Sequence, residues 1–316
     1  DAVYIATPVF CHKEQVVAAV KAKKHILLEK PISDSREELQ SLVDAQEKYG
    51  GKIVICHVLR YAPFFKKVKE IVMEGTIGDI MSVVHVEAVG NVHQSHSYVR
   101  GNWHSEAETT PMLLAKSCHD IDILQWLIDK PCKKVQSFGN LFYFNKNNAP
   151  EGAPVRCIDG GCPVEETCPY NCKKLYYDDK NNNWFRKACT RSFAKSDIPT
   201  DEEVMTALKN TDYGLCVFHA NNDVVDHQTV NMLFEDDVTI TFSMNAFNKG
   251  GRHIHIFGTE GEIIAAIDGN EPIVVNDFIK DTTEKIEFST ADDKVATVSD
   301  DGLITAVGFG ETEITV

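Results

Sequence analysis

The sequence predicts an α/β protein: a partial Rossmann-type, doubly wound parallel sheet, followed by an α+β domain with an open, mostly antiparallel sheet. Three observations predict it. Short runs of β-forming residues alternate with helical stripes over residues 1–60. Period-two alternation returns repeatedly between residues 79 and 267. The chain has 316 residues, 43% hydrophobic and 25% charged, which is enough to bury two cores.

Taken in order, AVYIA (2–6) is an apolar run ended by Thr7-Pro8 and reads as a parallel strand covered on both faces. HKEQVVAAVKAKK (12–24) places Val16, Val17, Ala19 and Val20 on a helical stripe with a basic C-terminal end that suits the helix dipole. HILLEKP (25–31) is strand again. Ser33 or Asp34 caps the helix SREELQSLVDAQEKYG, which stops at a glycine pair, and KIVICHVLR is a third strand. Sheets of this type bind ligands at the carboxyl ends of their strands, so Ala6-Thr7-Pro8, Glu29-Lys30-Pro31 and residues 57–61 mark the place to look.

DIMSVVHVEAV (79–89), DVTITFSMNAF (237–247) and HIHIFGTEGEIIAAI (253–267) read as the long strands of the second sheet. Between the first two lies MLLAKSCHDIDILQWLI, helical, with Leu113, Leu114, Ile121, Ile123, Leu124, Leu127 and Ile128 supplying the apolar surface. His119 interrupts it, with Lys116 three residues before and Asp122 three after, on neighbouring turns. A histidine so flanked can exchange a proton with a substrate hydroxyl; the plain alternative is a satisfied core histidine. VHQSHSYVRGNWHS (92–105) reads as a polar loop over the substrate, with Trp103 lining the pocket; His93, His96 and His104 lack the spacing of a helical metal pair. Asp226 and His227, at the start of a strand, reach either the active site or the cysteine loop.

The net charge of −15 and pI near 5.2 argue against nucleic acid or an anionic membrane surface as partners. No apolar run is long enough to cross a bilayer, and the first residues carry no export signal, so the expected setting is cytoplasmic, small-molecule chemistry. Four of the ten cysteines, Cys157, Cys162, Cys168 and Cys172, cluster within sixteen residues of a loop rich in proline and glycine. In a chain without secretory features that points to metal, zinc more simply than an iron–sulfur cluster, in a structural role because four protein ligands leave no open position. Cys216 is an alternative fourth ligand; free thiols or disulfides are the other readings.

DAVYIATP, HILLEKP and RYAPFFKKVKEIVMEGTIGDI together resemble the Gfo/Idh/MocA oxidoreductases, the family of glucose-fructose oxidoreductase and inositol dehydrogenase, over residues 1–280. The resemblance implies the second half of an NAD(P)-binding Rossmann domain at 1–60 and a substrate and oligomerisation domain at 61–285 with a cysteine-rich insertion at 155–190. In the family a glycine-rich pyrophosphate loop precedes the strand that DAVYIATP resembles. No G-x-G-x-x-G stands near the start here, so the expectation is an N-terminally truncated chain, with loss of dinucleotide binding as the alternative.

Carried over by resemblance, Lys30 lies near the nicotinamide and stabilises the alkoxide, with cofactor contacts on Ala6, Thr7, Pro8, His12, Glu29 and Pro31. His119 takes the place of the catalytic histidine. The aspartate usual four residues earlier is Ala115 here, so Lys116 is the candidate second polar group, and substrate contacts fall on Arg60, Tyr61, Trp103, Asp122 and His227. The implied activity is NAD- or NADP-dependent hydride transfer with a sugar, polyol or related cyclic alcohol, in a homo-oligomer formed through the open sheet face. The alternatives are NAD-dependent glycoside cleavage and a non-catalytic binding or surface-associated remnant of the fold. A subset of the family has a comparable cysteine loop, usually with the first three cysteines.

Residues 286–316 change character. VATV, LITAV and TEITV are short strands between Asp-Asp, Asp-Gly and Gly-x-Gly turns, and the run resembles the second half of a bacterial group 2 immunoglobulin-like domain. Half a sandwich cannot bury both its sheets, so these strands are expected to pair with the exposed edge of the larger sheet or to stay loosely held. Such modules sit on surface proteins, which leaves a surface or secreted setting as the alternative to the cytoplasm.

Overall fold

Three parallel strands open the chain: β1 (Ala2–Ile5), β2 (His25–Leu28) and β3 (Ile53–Ile55), adjacent in that order and connected by α1 (His12–Lys21) and α2 (Arg36–Tyr49). The structure is a computed structural model and describes all residues except 181–182, 193, 195–197, 268–271, 301 and 309, together with the side chain of Asn183. Ser35, rather than Ser33 or Asp34, caps α2 by accepting from the Glu38 amide, and Gly50 ends it at a φ of 77°. Ile5, Ile26 and Leu28 pack against Val16, Val20, Leu42 and Ala45 on one face. The opposite face carries Tyr4, Leu27 and Val54 side by side in register, 59%, 43% and 45% exposed. The strand expected to be covered on both faces is therefore covered on one, because α1 and α2 lie on the same side.

A single helical turn, Val58–Tyr61, leads from β3 into α3 (Pro63–Met73), whose first position is proline, where a missing N–H costs nothing. Its Phe64, Phe65, Val68 and Ile71 are buried. β4 (Ile80–Ala88) then enters the second sheet, followed by α4 (Asn91–Gln94), a π-helical turn at Ser95–Val99, α5 (Met112–Ala115) and α6 (Cys118–Ile128). The remaining strands are β5 (Cys132–Asn140), β6 (His227–Phe234), β7 (Thr239–Asn245), β8 (Gly251–Gly258), β9 (Gly261–Ile267), β10 (Ile273–Asp277) and β11 (Thr282–Ile286).

These make an eight-stranded sheet in the order β11-β10-β9-β8-β4-β7-β6-β5, in which only β4–β7 is parallel. It is the open, mostly antiparallel sheet the alternation predicts. Val83, Ile240, Phe242, Ile254 and Ile263 face α3 and α6 and form the main core with Phe64, Ile123, Leu124 and Leu127. Each such side chain contributes about 1.5–3 kcal/mol by leaving water. The other face is open, with Val84, Phe138 and Ile264 between 42% and 64% exposed.

The insertion occupies the whole connection between β5 and β6, wider than the cysteine loop alone. It contains α7 (Asn183–Thr190) and α8 (Asp201–Asn210), the latter started by a complete capping box between Thr200 and Glu203. Two small cores hold it, one around Phe144, Tyr170 and Phe218 and one around Cys172, Tyr176 and Leu208.

In the tail, β13 (Ala296–Val298), β14 (Ile304–Ala306) and β15 (Ile314–Thr315) fall on the three runs the sequence places there, and β12 (Ser289–Thr290) is a further short strand ahead of them. They pair with one another, β12 with β15 and β13 with β14, and not with the edge of the large sheet as expected. Phe288, 5% exposed, anchors the segment in the main core. Asp301 and Phe309, in two of the expected turns, lie outside the described residues.

Candidate active site

The carboxyl ends of β2 and β3 meet the N-terminal end of α6. Lys30, just past β2, donates from Nζ to the Ala115 carbonyl at 2.8 Å, a contact spanning 85 residues. Burial lowers its pKa, and the Lys116 and Arg252 charges push the same way. His57, just past β3, lies edge-to-face with His119, ring centroids 6.0 Å apart, and its Nδ1 is 3.8 Å from Asp122 Oδ2. Arg60 grips Asp122 with a two-pronged hydrogen bond, Nε to Oδ2 at 2.7 Å and Nη2 to Oδ1 at 2.6 Å. That fork docks α6 onto the first sheet and so brings His119 beside Lys30.

His119 is held neutral. Burial first, then the charges of Lys30, Arg252 and His57, push its pKa down to about 4. Its Nδ1 and the hydroxyl of Ser117 are buried polar atoms with no hydrogen-bond partner among the described residues. A neutral imidazole beside an ammonium can accept a hydroxyl proton and leave the resulting oxyanion next to a cation.

Beneath this pair lies a buried charge cluster that sequence reading missed. Glu87 of β4 places Oε1 3.2 Å from Lys116 Nζ and Oε2 2.7 Å from Arg252 Nε. Arg252 of β8 donates from Nε to Asp120 Oδ1 at 2.8 Å, and the same oxygen is 2.9 Å from His85 Nε2. Glu87 and Asp120 are 2% and 0% exposed. Burial pushes both carboxyls up; for Asp120 the His85 and Arg252 contacts outweigh it and hold the group below its usual range, whereas for Glu87 burial prevails. A signal was present: His85 and Glu87 alternate with the sheet's period and share the inward face of β4 with Val83.

The other expected residues are placed as follows. Ala6, Thr7 and Pro8 are exposed at the end of β1, and Glu29 and Lys30 are partly exposed beside them. These strand ends form an open cradle with Lys30 at its rim. His12 does not line it: it is 1% exposed, its Nε2 2.9 Å from the Thr7 carbonyl and its Nδ1 3.2 Å from the Ile32 carbonyl, so it props the two strand ends from below. Pro31 is likewise buried. Tyr61 is 64% exposed, whereas Trp103 packs against the main core rather than standing free over a pocket.

Residues 92–99 of the expected polar loop are instead the α4 helix and π turn, and only 100–105 are irregular. His96 of the π turn is buried among Tyr176, Trp184, Phe185 and Tyr213, because the insertion packs over it. His227 pairs with Asp226 at 2.9 Å, and Asp226 accepts from the Phe142 and Tyr143 amides, which fastens the root of the insertion.

Cys157, Cys162 and Cys168 line one cavity of about 20 Å³, joined by Cys216 and Arg100. The expected fourth ligand, Cys172, does not line it. Its side chain is fully buried in the α7–α8 core, and its amide donates to Cys157 Sγ at 3.4 Å. Among the described residues no three histidine, cysteine or carboxylate side chains converge into a group that could hold a metal ion, so this geometry lends the zinc expectation no support. Nor is any helix of the described residues long and apolar enough to cross a membrane.

A helix-connected parallel sheet followed by an open, mostly antiparallel sheet places the chain in the class of α/β proteins with a Rossmann-type unit. Comparison with known proteins specifies the family. Residues 1–57 match the oxidoreductase family, NAD-binding Rossmann fold, of the Gfo/Idh/MocA proteins, and residues 69–299 match that family's C-terminal alpha/beta domain. The chain belongs to the Gfo/Idh/MocA oxidoreductase family.

Among its relatives, the YteT protein of Bacillus subtilis is 24% identical over 271 residues, covering 83% of this chain and 59% of the relative. Inositol 2-dehydrogenase of Rubrobacter xylanophilus is 30% identical over 163 residues, covering 49% of this chain and 40% of the relative. A solved levoglucosan dehydrogenase, in complex with NADH and levoglucosan, has the same fold, with a TM-score of 0.59 at 18% identity over 98% of this chain and 66% of that one. The chain thus spans about three fifths of the length of the first of these relatives.

Proposed function

We propose that this chain carries the reaction centre of an NAD(P)-dependent oxidoreductase that moves a hydride between nicotinamide and a carbinol carbon of a sugar, polyol or related cyclic alcohol. The observation that carries the reading is the meeting of Lys30 with the His119 segment through the bond to the Ala115 carbonyl. The names of the relatives, inositol 2-dehydrogenase and levoglucosan dehydrogenase among them, support the substrate class.

The dinucleotide, when bound, supplies the hydride acceptor or donor, and Thr7, Glu29 and Lys30 are the residues that would hold its nicotinamide end. His119, neutral above its lowered pKa of about 4, takes the hydroxyl proton as the alcohol is oxidised and returns it in the reverse direction. Lys30 keeps its ammonium against the developing alkoxide, a preorganised charge in a partly dry site. Lys116, one residue beyond the Lys30 contact, is the second polar group at the substrate. A structural zinc in the cysteine loop forms no part of this reading. The open face of the eight-stranded sheet supports association with a second copy of the chain, which size-exclusion chromatography with light scattering tests.

Titration with NADH and NADPH, followed by nicotinamide fluorescence, tests the cofactor half of the proposal. Saturable binding of either, weakened by Lys30→Met, is the expected result. A folded protein whose nicotinamide signal never saturates would overturn it.

A further inference from the structure

Lys116 needs a partner if it is to act at the substrate. Its four-carbon side chain has about 2 kcal/mol of rotamer freedom to lose on being fixed. Glu87 is the group that fixes it, at 3.2 Å. Glu87 cannot move in turn: β4 is paired on both sides, with β7 and β8, and Arg252 stands directly opposite Glu87 in the β4–β8 register, with Nε 2.7 Å from its second oxygen. Arg252 is itself tied to Asp120 of α6, the residue after His119. A rigid chain of contacts therefore runs from the sheet through Glu87 to Lys116 and, by way of Arg252 and Asp120, to the helix that carries His119.

Stability does not explain this cluster. A buried carboxylate pair is costly to desolvate, and an apolar side chain at Glu87, like Val83 on the same face, would satisfy the core at least as well. The groups that face Glu87 are Lys116, Arg252, Asp120 and, from the π turn, Tyr98. Lys116 and Arg252 both bear on Lys30 and are similarly exposed, 17% and 14%, but Arg252 is shared with Asp120, whereas Glu87 is the carboxylate that Lys116 pairs with.

We propose that Glu87 is a positioning residue that holds the Lys116 ammonium as the second polar group of the site, doing from the sheet what Ala115 cannot do from the helix. The inference rests on the oxidoreductase reading. Two measurements on the full chain decide it. In the first, acetylation of Lys116 by acetic anhydride, read by peptide mass, is compared between the wild type and Glu87→Gln. The proposal expects Lys116 to react several-fold faster once its carboxylate is neutral, and an unchanged rate overturns it whether or not the protein turns over any alcohol.

The second is a kinetic cycle of Glu87→Gln, Lys116→Met and the double variant. Each single change is expected to lower kcat at least tenfold with the KM for the nicotinamide cofactor unchanged, and the double variant to be no worse than either. Losses that multiply, or a Glu87→Gln enzyme that is less heat-stable but equally fast, overturn the proposal. Should Glu87→Gln fail to fold, Glu87→Asp keeps the charge at shorter reach, and the same two readouts are expected to move part of the way. A wild-type chain that oxidises no sugar or polyol counts against the function itself, and the acetylation result stands apart from it.

Discussion

At the scale of single residues, the site works by charge placement. His119 is unprotonated well below the usual histidine range because it is buried and because the charges of Lys30, Arg252 and His57 act on it. Two outcomes follow for its ring, followed by NMR titration. In the wild type it titrates near 4, far below the usual value of about 6.5. In Lys30→Met, which removes one of the cations lowering it, the midpoint rises. A wild-type ring titrating at an ordinary value would show that the two groups do not meet. The acid limb of the pH–rate profile for alcohol oxidation is expected to lie correspondingly low, since the neutral ring is the working form.

At the scale of elements, the site depends on how α6 is held. The Arg60–Asp122 fork joins the turn after β3 to α6, and Arg60→Lys keeps the charge but loses the planar double donor. That change is expected to cost about 1–2 kcal/mol in denaturant unfolding and to lower turnover more than cofactor binding. On the opposite side of α6, Leu124 is fully buried in the main core, and Leu124→Ala is expected to cost about 2–5 kcal/mol, visible as a lower midpoint with the slope unchanged.

The elements themselves were legible: β1 through β3, α2, α6 and the long strands all fall on the runs and stripes that predict them. What escaped sequence reading is what depends on contacts between distant segments. By resemblance Arg60 and Asp122 read as two substrate contacts, and only the fold shows that they satisfy each other. His12 reads as a strand-end ligand and is a prop beneath the strand ends. The 92–105 segment reads as a polar loop because its burial is supplied by an insertion some eighty residues later. Glu87 was visible as a polar residue on an apolar face, but its partners lie on β8 and beside α6, which no local pattern connects.

At the scale of the whole molecule, three partly or wholly buried histidines are neutral in the folded state: His93 and His119 near 4, and His96 near 3. In each case burial is the leading cause. The unfolded chain binds their protons near 6.5, so between about pH 6.5 and 4 unfolding takes up protons and stability falls as the pH drops. Calorimetric melts at pH 7 and pH 5 are expected to show a clearly lower Tm at pH 5, and His96→Phe, which keeps the ring inside its aromatic cage, to flatten the difference. An unchanged Tm would mean that these rings are hydrated in the native state.

In the proposed reaction, Lys30 comes from the first sheet and His119 from α6, and the hydride passes to or from an alcohol carbon between them. The most direct test is nicotinamide reduction by a panel of inositols, aldoses and anhydrosugars, with wild type, Lys30→Met and His119→Gln side by side. The wild type is expected to turn over at least one cyclic alcohol, with losses of a hundredfold or more in both variants, in line with what one positioned acid–base or charge-stabilising group contributes. Turnover that survives both substitutions would contradict it.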